Sequence, residues 1–287
     1  MIRLITTAAL ALALFAGVAA TARVSAQDDK PKSFGLVVYK LGEKFATDEK
    51  AGEAIDKFAG YLDSNIEGAD FKRLGVRNKP DDALKLFKDE AKPVAVAIVS
   101  PGFYYTHKSD LKLTALAEAQ RDGKDGEQYT LVGTTKPDSY PGGKRIATSL
   151  HADTDWLNKA VLRAPKDAKP VVWVQYDNLL DAGYEIIDEE DGAPDFILVD
   201  RTTLKLYESD DDLKTLKKGL QSEVLPQDLV VEVDGRLGEK RDALKKTLAN
   251  LDQTDEGKKI GELLQSPKFP APDATRLEKV QKWYDAE

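Results

Sequence analysis

The sequence contains no cysteine, and its one methionine is Met1. Disulfides, thiol nucleophiles and thiolate metal sites are therefore excluded by inventory. Histidine is almost as scarce. His107 and His151 are the whole supply, too few for a histidine-rich zinc or copper site. A Ser-His-Asp triad would need one of them, and no G-x-S-x-G elbow supplies the serine. A phosphate-cradling G-x-x-x-x-G-K-[ST] loop is also missing. Basic residues do not outnumber acidic ones: 42 Lys and Arg stand against 50 Asp and Glu, a formal net charge of −8. Nucleic acid and anionic membrane surfaces both attract basic faces, so neither is an expected partner. The acidic runs 188–191 and 210–212 lack the D-x-[DN]-x-[DN]-G spacing of a calcium loop and read as solvated loops. These absences predict a protein that is not an enzyme and that carries no cofactor and no metal.

Long apolar runs are missing as well, except at the start. Arg3 precedes an apolar run over 8–20, and Val24-Ser25-Ala26 then offers the small-residue pattern of a cleavage site. Charge, apolar core and cleavage site together define a secretory signal. The alternative, a membrane anchor, is poorly served by a run shorter than the about 20 residues of a span. The expectation is cleavage after Ala26 and a soluble periplasmic protein starting near Gln27. That product would hold no sulfur at all. Synthesis under sulfur limitation, avoidance of methionine oxidation and compositional drift all fit this.

The rest of the chain reads as two α/β runs. Residues 33–39 form a buried strand. The helix after it carries Ala51, Ile55, Phe58, Ala59 and Leu62 on one face. A strand at 70–76 precedes Pro80, which opens a second helix. Residues 94–99 (VAVAIV) are wholly apolar, as a strand covered on both faces should be. This β-α-β-α-β order predicts a parallel sheet with right-handed crossovers. Strands at 111–119 and 129–134 follow, joined by the polar stretch 121–127. After the breaker cluster 137–143 the pattern repeats, with strands at 145–148, 171–175 and 196–199. Helices at 153–162, 177–187 and from 202 alternate with them. A short strand at 229–233 and three helices, 237–251, 254–264 and 274–284, close the chain. The expected architecture is a two-lobed α/β fold, each lobe a mostly parallel sheet flanked by helices. Lobe one would be 33–119 with 228–287, lobe two 128–222, joined by two crossing segments that act as a hinge. Ligands of open α/β sheets sit beyond the carboxyl ends of the strands.

Several segments carry a family likeness. Val96-Ala97-Ile98-Val99-Ser100-Pro101-Gly102-Phe103-Tyr104 resembles a strand ending in a Gly-Pro-x-x-Tyr turn. Residues 113–123, Lys144-Arg145-Ile146-Ala147 and Phe196-Ile197-Leu198-Val199-Asp200 follow in order, and 244–264, above all 252–259, resembles a helix pair broken at an Asp-x-x-x-x-Gly turn. In this order they resemble the phosphate/phosphite/phosphonate-binding family of periplasmic solute-binding proteins, which serve ABC importers. The resemblance implies two lobes, with the last helices returning to the first. It further implies a monomer that captures a small oxyanion or phosphonate and delivers it to an ABC permease, with no bond made or broken. One departure stands out. The family opens its second-lobe helix with a Ser-Thr-Ser-type segment, and the aligned residues here are Asp153-Thr154-Asp155, so only Thr154 survives. Carboxylates at a helix start complement its dipole. Against a bound anion each costs on the order of a few kcal/mol.

The residues that follow the strands are the candidate ligand site. Tyr39 and Lys40 end the first strand, and Lys40 is either a cation for an oxyanion or a solvated lysine. Ser100 caps a helix, touches ligand, or does both. Tyr104 matches the family's cleft tyrosine, with a core aromatic as the alternative, and Tyr105 is cleft wall or packing. His151 lies in the loop before the second-lobe helix. Asp153 and Asp155 are helix caps or partners of an amine on the ligand. Tyr176 follows a strand. Asp200 and Arg201 match the hinge-side contact, or pair with each other. Two rival readings remain. A ferric ion or another cation would use Tyr104, Tyr105, His151 and Asp153 as hard donors. A degenerate binding protein would act as a sensor or interaction partner.

Overall fold

The computed structural model describes residues 32–40, 48–121 and 123–286. The signal reading and its cleavage after Ala26 lie outside them. Among the described residues no helix is long and apolar enough to cross a membrane.

Chain order alternates strands and helices. The strands β1 (Lys32–Tyr39), β2 (Ala69–Arg77), β3 (Val94–Val99) and β4 (Leu113–Glu118) are interleaved with the helices α1 (Asp48–Asn65), α2 (Pro80–Phe87) and α3 (Pro101–His107). A two-residue hairpin pair, β5 (Gln120–Arg121) and β6 (Lys124–Asp125), begins the crossing to the second lobe. There β7 (Thr130–Gly133) and β8 (Arg145–Thr148) lead to a π-helical turn at Trp156–Val161. Next come β9 (Val172–Gln175), α4 (Leu179–Ile187), β10 (Phe196–Val199), α5 (Arg201–Ser209) and β11 (Lys217–Gln221). The return brings β12 (Leu229–Val233), α6 (Arg241–Ala249), α7 (Asp255–Leu263) and α8 (Ala274–Asp285).

Two five-stranded sheets result, ordered β2-β1-β3-β12-β4 and β11-β7-β10-β8-β9. Both are mostly parallel, as expected: in each, four of the five strands run in one direction and a single strand runs against them. In the first, β1 pairs in parallel with β2 and β3, whereas β12 runs antiparallel between β3 and β4. In the second, β10 and β9 are parallel to β8, and β7 is antiparallel to β10 and β11. Strands joined by helical crossovers stay parallel. The reversed strand in each sheet, β12 or β7, is the first that the chain forms after a crossing.

Alternation along β1 decides the layers. Phe34, Leu36 and Val38 face α1, where Ile55, Phe58 and Leu62 meet them together with Leu244 and Leu248 of α6 and Ile260 of α7. Val37 and Tyr39 face the opposite layer, with Ala83 and Phe87 of α2 and Phe103 of α3. Each fully buried side chain of this size is worth roughly 1.5–3 kcal/mol. In the second lobe Ile197 and Val199 of β10 pack on Ala182 and Ile186 of α4 and Tyr207 of α5.

The sequence pattern placed an ordinary helix at 153–162. Its core is a π-helical turn in which Leu162 N–H donates to Leu157 O at 2.9 Å. Likewise, α8 is more than a first-lobe helix, because its side chains reach both lobes. On one side Tyr105 Oη donates to Leu277 O at 3.2 Å and Arg276 pairs with Glu118. On the other, Lys159 Nζ donates to Tyr284 O at 3.2 Å, and Tyr284 lies near the Trp156 indole.

Candidate functional site

Four strand ends converge between the sheets. Lys40 follows β1, Ser100 follows β3, Thr148 ends β8 and Asp200 follows β10, and all four line one cavity of about 170 Å³. Its second-lobe wall continues through Asp153 and Trp156, and its floor is made by the crossings, with Glu127 on one and Gln227 and Asp228 on the other. The position is the one that open α/β sheets use for ligands. A volume below the roughly 300–1,000 Å³ of drug-sized sites limits it to a small solute.

Local chemistry positions each group. Ser100 Oγ accepts from Phe103 N–H at 3.3 Å and so caps α3, while the Tyr39 phenol hydrogen-bonds to it from behind. Asp200 Oδ1 accepts from Thr203 N–H at 2.7 Å and caps α5. Thr148 Oγ1 accepts from Leu150 N–H at 3.1 Å. At the floor, Arg121 Nη2 meets Asp228 Oδ2 at 2.6 Å. Leu225 and Glu127 exchange backbone hydrogen bonds at 2.7 Å, which ties the crossings together. Gln227 Nε2 donates to Gly126 O at 2.9 Å, and Arg201 Nη1 donates to the same carbonyl at 2.8 Å.

Asp153 is the link between lobes. Its carboxylate accepts the Trp156 N–H, and it reaches across to α3. A Cβ built on Gly102 would fall 1.6 Å from Asp153 Oδ2, so glycine is the one residue that leaves the carboxylate its place. Burial pushes the Asp153 pKa up to about 7, opposed by the Trp156 N–H and assisted by the Asp155 charge. Burial also raises the phenols of Tyr39 and Tyr284, with the Asp153 charge adding to both. They stay neutral near it. Glu127 is likewise raised by burial, with N–H bonds from Gln128 and Arg201 opposing.

Not every sequence-predicted residue reaches this cavity. Lys40, Ser100, Asp153 and Asp200 line it, and Tyr39 stands one layer back. Tyr104 is buried on the far side of α3, where it hydrogen-bonds the Ala115 backbone. Tyr105 stacks between Trp156 and Tyr284. His151, Thr154 and Asp155 are exposed outside the lining. Tyr176 donates to Glu185, and Arg201 reaches Glu127 rather than Asp200. The four donors of the ferric reading therefore do not converge. Among the described residues no group of three His, Asp or Glu is placed to hold a metal ion. Sequence reasoning missed Arg121, Glu127, Gln227 and Asp228. All four sit on the crossings, which the sequence showed only as the polar stretch 121–127 and a second hinge segment.

Gly102→Ala tests the lobe contact. Gly102 lies in the first turn of α3, where alanine gains at most about 1 kcal/mol over glycine, and the overlap with Asp153 should outweigh this by about 1–3 kcal/mol. We expect a lower Tm in thermal unfolding, recovered when Asp153→Ala is added. A Tm above the parent's in the single variant would refute the contact.

No protein-family model and no curated protein sequence matches the chain. Solved structures do. XAC2383 from Xanthomonas citri, bound to chloride ion, superposes with a TM-score of 0.65 at 11% identity, covering 88% of this chain and 97% of that one. A binding protein component of an ABC phosphonate transporter (PA3383) from Pseudomonas aeruginosa gives 0.59 at 13% identity, covering 88% and 85%. PhnD1 from Prochlorococcus marinus, in complex with methylphosphonate, gives 0.56 at 13% identity, covering 88% and 97%. The chain has the α/β fold of the periplasmic binding proteins.

Proposed function

We propose that the protein is an extracytoplasmic solute-binding protein that captures a small solute between its lobes and presents it to an ABC permease. The observation that carries this reading is the small cavity walled by both lobes and floored by both crossings. Closure about such crossings is a standard way to report occupancy. The transporter role named for the Pseudomonas aeruginosa protein and the methylphosphonate held by PhnD1 support the same reading. The hydroxyls of Ser100, Thr148 and Ser149 give an oxyanion or phosphonate its donors, and the carboxylates beside them bias the site toward a ligand that also carries positive charge.

Thermal unfolding of the purified protein against phosphate, phosphite, methylphosphonate, alkylsulfonates and small amines tests it. A ligand at 100 times its Kd stabilises by about 2.7 kcal/mol, a shift of several degrees. At least one class should produce it. A flat response to every class would overturn the solute-binding reading.

A further inference from the structure

The charge of the cavity wall has the wrong sign for a bare oxyanion. Glu127, Asp153, Asp200 and Asp228 line it, against Lys40 and Arg121. Both cations already have partners, since Arg121 meets Asp228 at 2.6 Å and Lys40 Nζ donates to Leu264 O at 3.2 Å. An independent observation lies at the floor. Gln227 is only 5% exposed, and its Oε1 accepts no hydrogen bond from any described protein group. The amide cannot turn over to use that oxygen elsewhere, because Nε2 is committed to Gly126 O at 2.9 Å. A buried acceptor without a donor costs about 1–3 kcal/mol, and a ligand N–H removes that cost.

Resting on the solute-binding reading, we infer that the ligand is a small organic ammonium compound whose N–H groups are met by the carboxylate of Asp153 and the amide oxygen of Gln227. An ammonium offers only donors, and charge-assisted hydrogen bonds to a carboxylate are the stronger kind. A cation also offsets the burial of a carboxylate that is given no countercharge by the described residues. A metal ion does not serve here, since among the described residues no three His, Asp or Glu side chains gather to hold one. The volume of about 170 Å³ excludes bulky amines.

Calorimetric titration at pH 8 with 2-aminoethanol and 1,3-diaminopropane, beside methylphosphonate and ethylene glycol, decides the matter. Binding of an amine is expected, weakened at least about tenfold in Asp153→Asn and in Gln227→Leu. Asparagine keeps the cap on the π-helical turn, so the first variant stays folded, and unchanged thermal unfolding of the second rules out a collapsed floor. Binding of methylphosphonate without the amines overturns the ammonium inference and leaves the solute-binding reading standing. So does binding of ethylene glycol alone, or amine binding untouched by both substitutions. Silence from all four probes overturns the inference, and the wider panel above then judges the solute-binding reading separately.

Discussion

Arg276→Ala should cost about 3–5 kcal/mol of stability, the largest loss expected from any single truncation at the hinge. Arg276 Nη2 lies 2.9 Å from Glu118 Oε1 and 2.8 Å from Oε2. The two side chains are 12% and 4% exposed. Glu118 ends β4 where the first crossing begins, and Gln227 N–H of the second crossing donates to its Oε1 at 3.0 Å. One carboxylate therefore holds α8 and both crossings. Taking away the guanidinium leaves a buried charge with a single backbone donor, and desolvation then exceeds what remains of its interactions. Arg276→Lys should recover only part of the loss, because an ammonium cannot match the guanidinium's planar fork. The double replacement Glu118→Leu with Arg276→Met should lie within about 1–2 kcal/mol of the parent, since it leaves no charge uncompensated. Urea unfolding of the three variants provides the check. An Arg276→Ala protein within about 1 kcal/mol of the parent would show that the pair is decoration.

Asp153→Asn should stabilise the ligand-free protein at pH 8, against the usual direction of site mutations. The folded-state pKa near 7 stands above the ordinary 3.8. Below about pH 4 the carboxyl is protonated in both the folded and the unfolded chain and costs nothing. Between about 4 and 7 the folded chain keeps a proton that the unfolded chain has lost, so stability falls as pH rises. Above about 7 the whole cost is present. A tenfold difference in proton affinity between the folded and unfolded chain is worth about 1.4 kcal/mol. Part of the Asp153 surface still faces the cavity, so the cost is on the order of 2–4 kcal/mol. The groups that face Asp153 are the Tyr39 and Tyr284 phenols and the Trp156 N–H, with the Asp155 charge on its own segment. None is a cation that would cancel the effect. The gain in Tm from Asp153→Asn should therefore be large at pH 8 and gone at pH 4. Asp155→Asn, on an exposed residue, serves as control with little change. An Asp153→Asn protein less stable than its parent at pH 8 would mean that the carboxylate is paired and not strained by burial. Stability should thus rise while amine binding falls in one variant, which separates a binding role from a structural one.

Much of the framework was legible because single elements carry their own pattern. Val94–Val99 is apolar throughout because β3 has β1 on one side, β12 on the other and helices on both faces. Ser100-Pro101 announces α3 because a hydroxyl cap and a proline at the first position suit a helix start. The hairpin at Gln120–Arg121 and Lys124–Asp125 was not legible. Two-residue strands are too short to show alternation, and that pairing is sustained by the crossings around it. The π-helical turn was hidden too, since Trp156, Leu157, Ala160 and Val161 have the spacing of an ordinary buried helical face. Among the site residues, Ser100 was recognisable as a helix cap and Asp200 as a strand-end residue, whose capping of α5 only the structure shows. Tyr104 and Tyr105 were drawn toward the cleft by the motif they sit in, but the direction of each ring is decided by what packs on α3. β4 receives the one, and α8 with Trp156 receives the other.

By itself the amino-acid sequence determined a cysteine-free, acidic chain of alternating strands and helices, with a break between two similar runs. It also determined which residues stand at the strand ends, because periodicity and capping are local properties. Only the tertiary structure decided which of those residues meet. Gly102 and Asp153 belong to different lobes, and nothing in either neighbourhood announces that the absence of one side chain makes room for the carboxylate of the other. The same holds for Gln227, whose unpaired oxygen exists only because the crossings bury it at the floor of the cavity. Burial and orientation depend on all the elements that surround a group, and a sequence pattern reports on one element at a time.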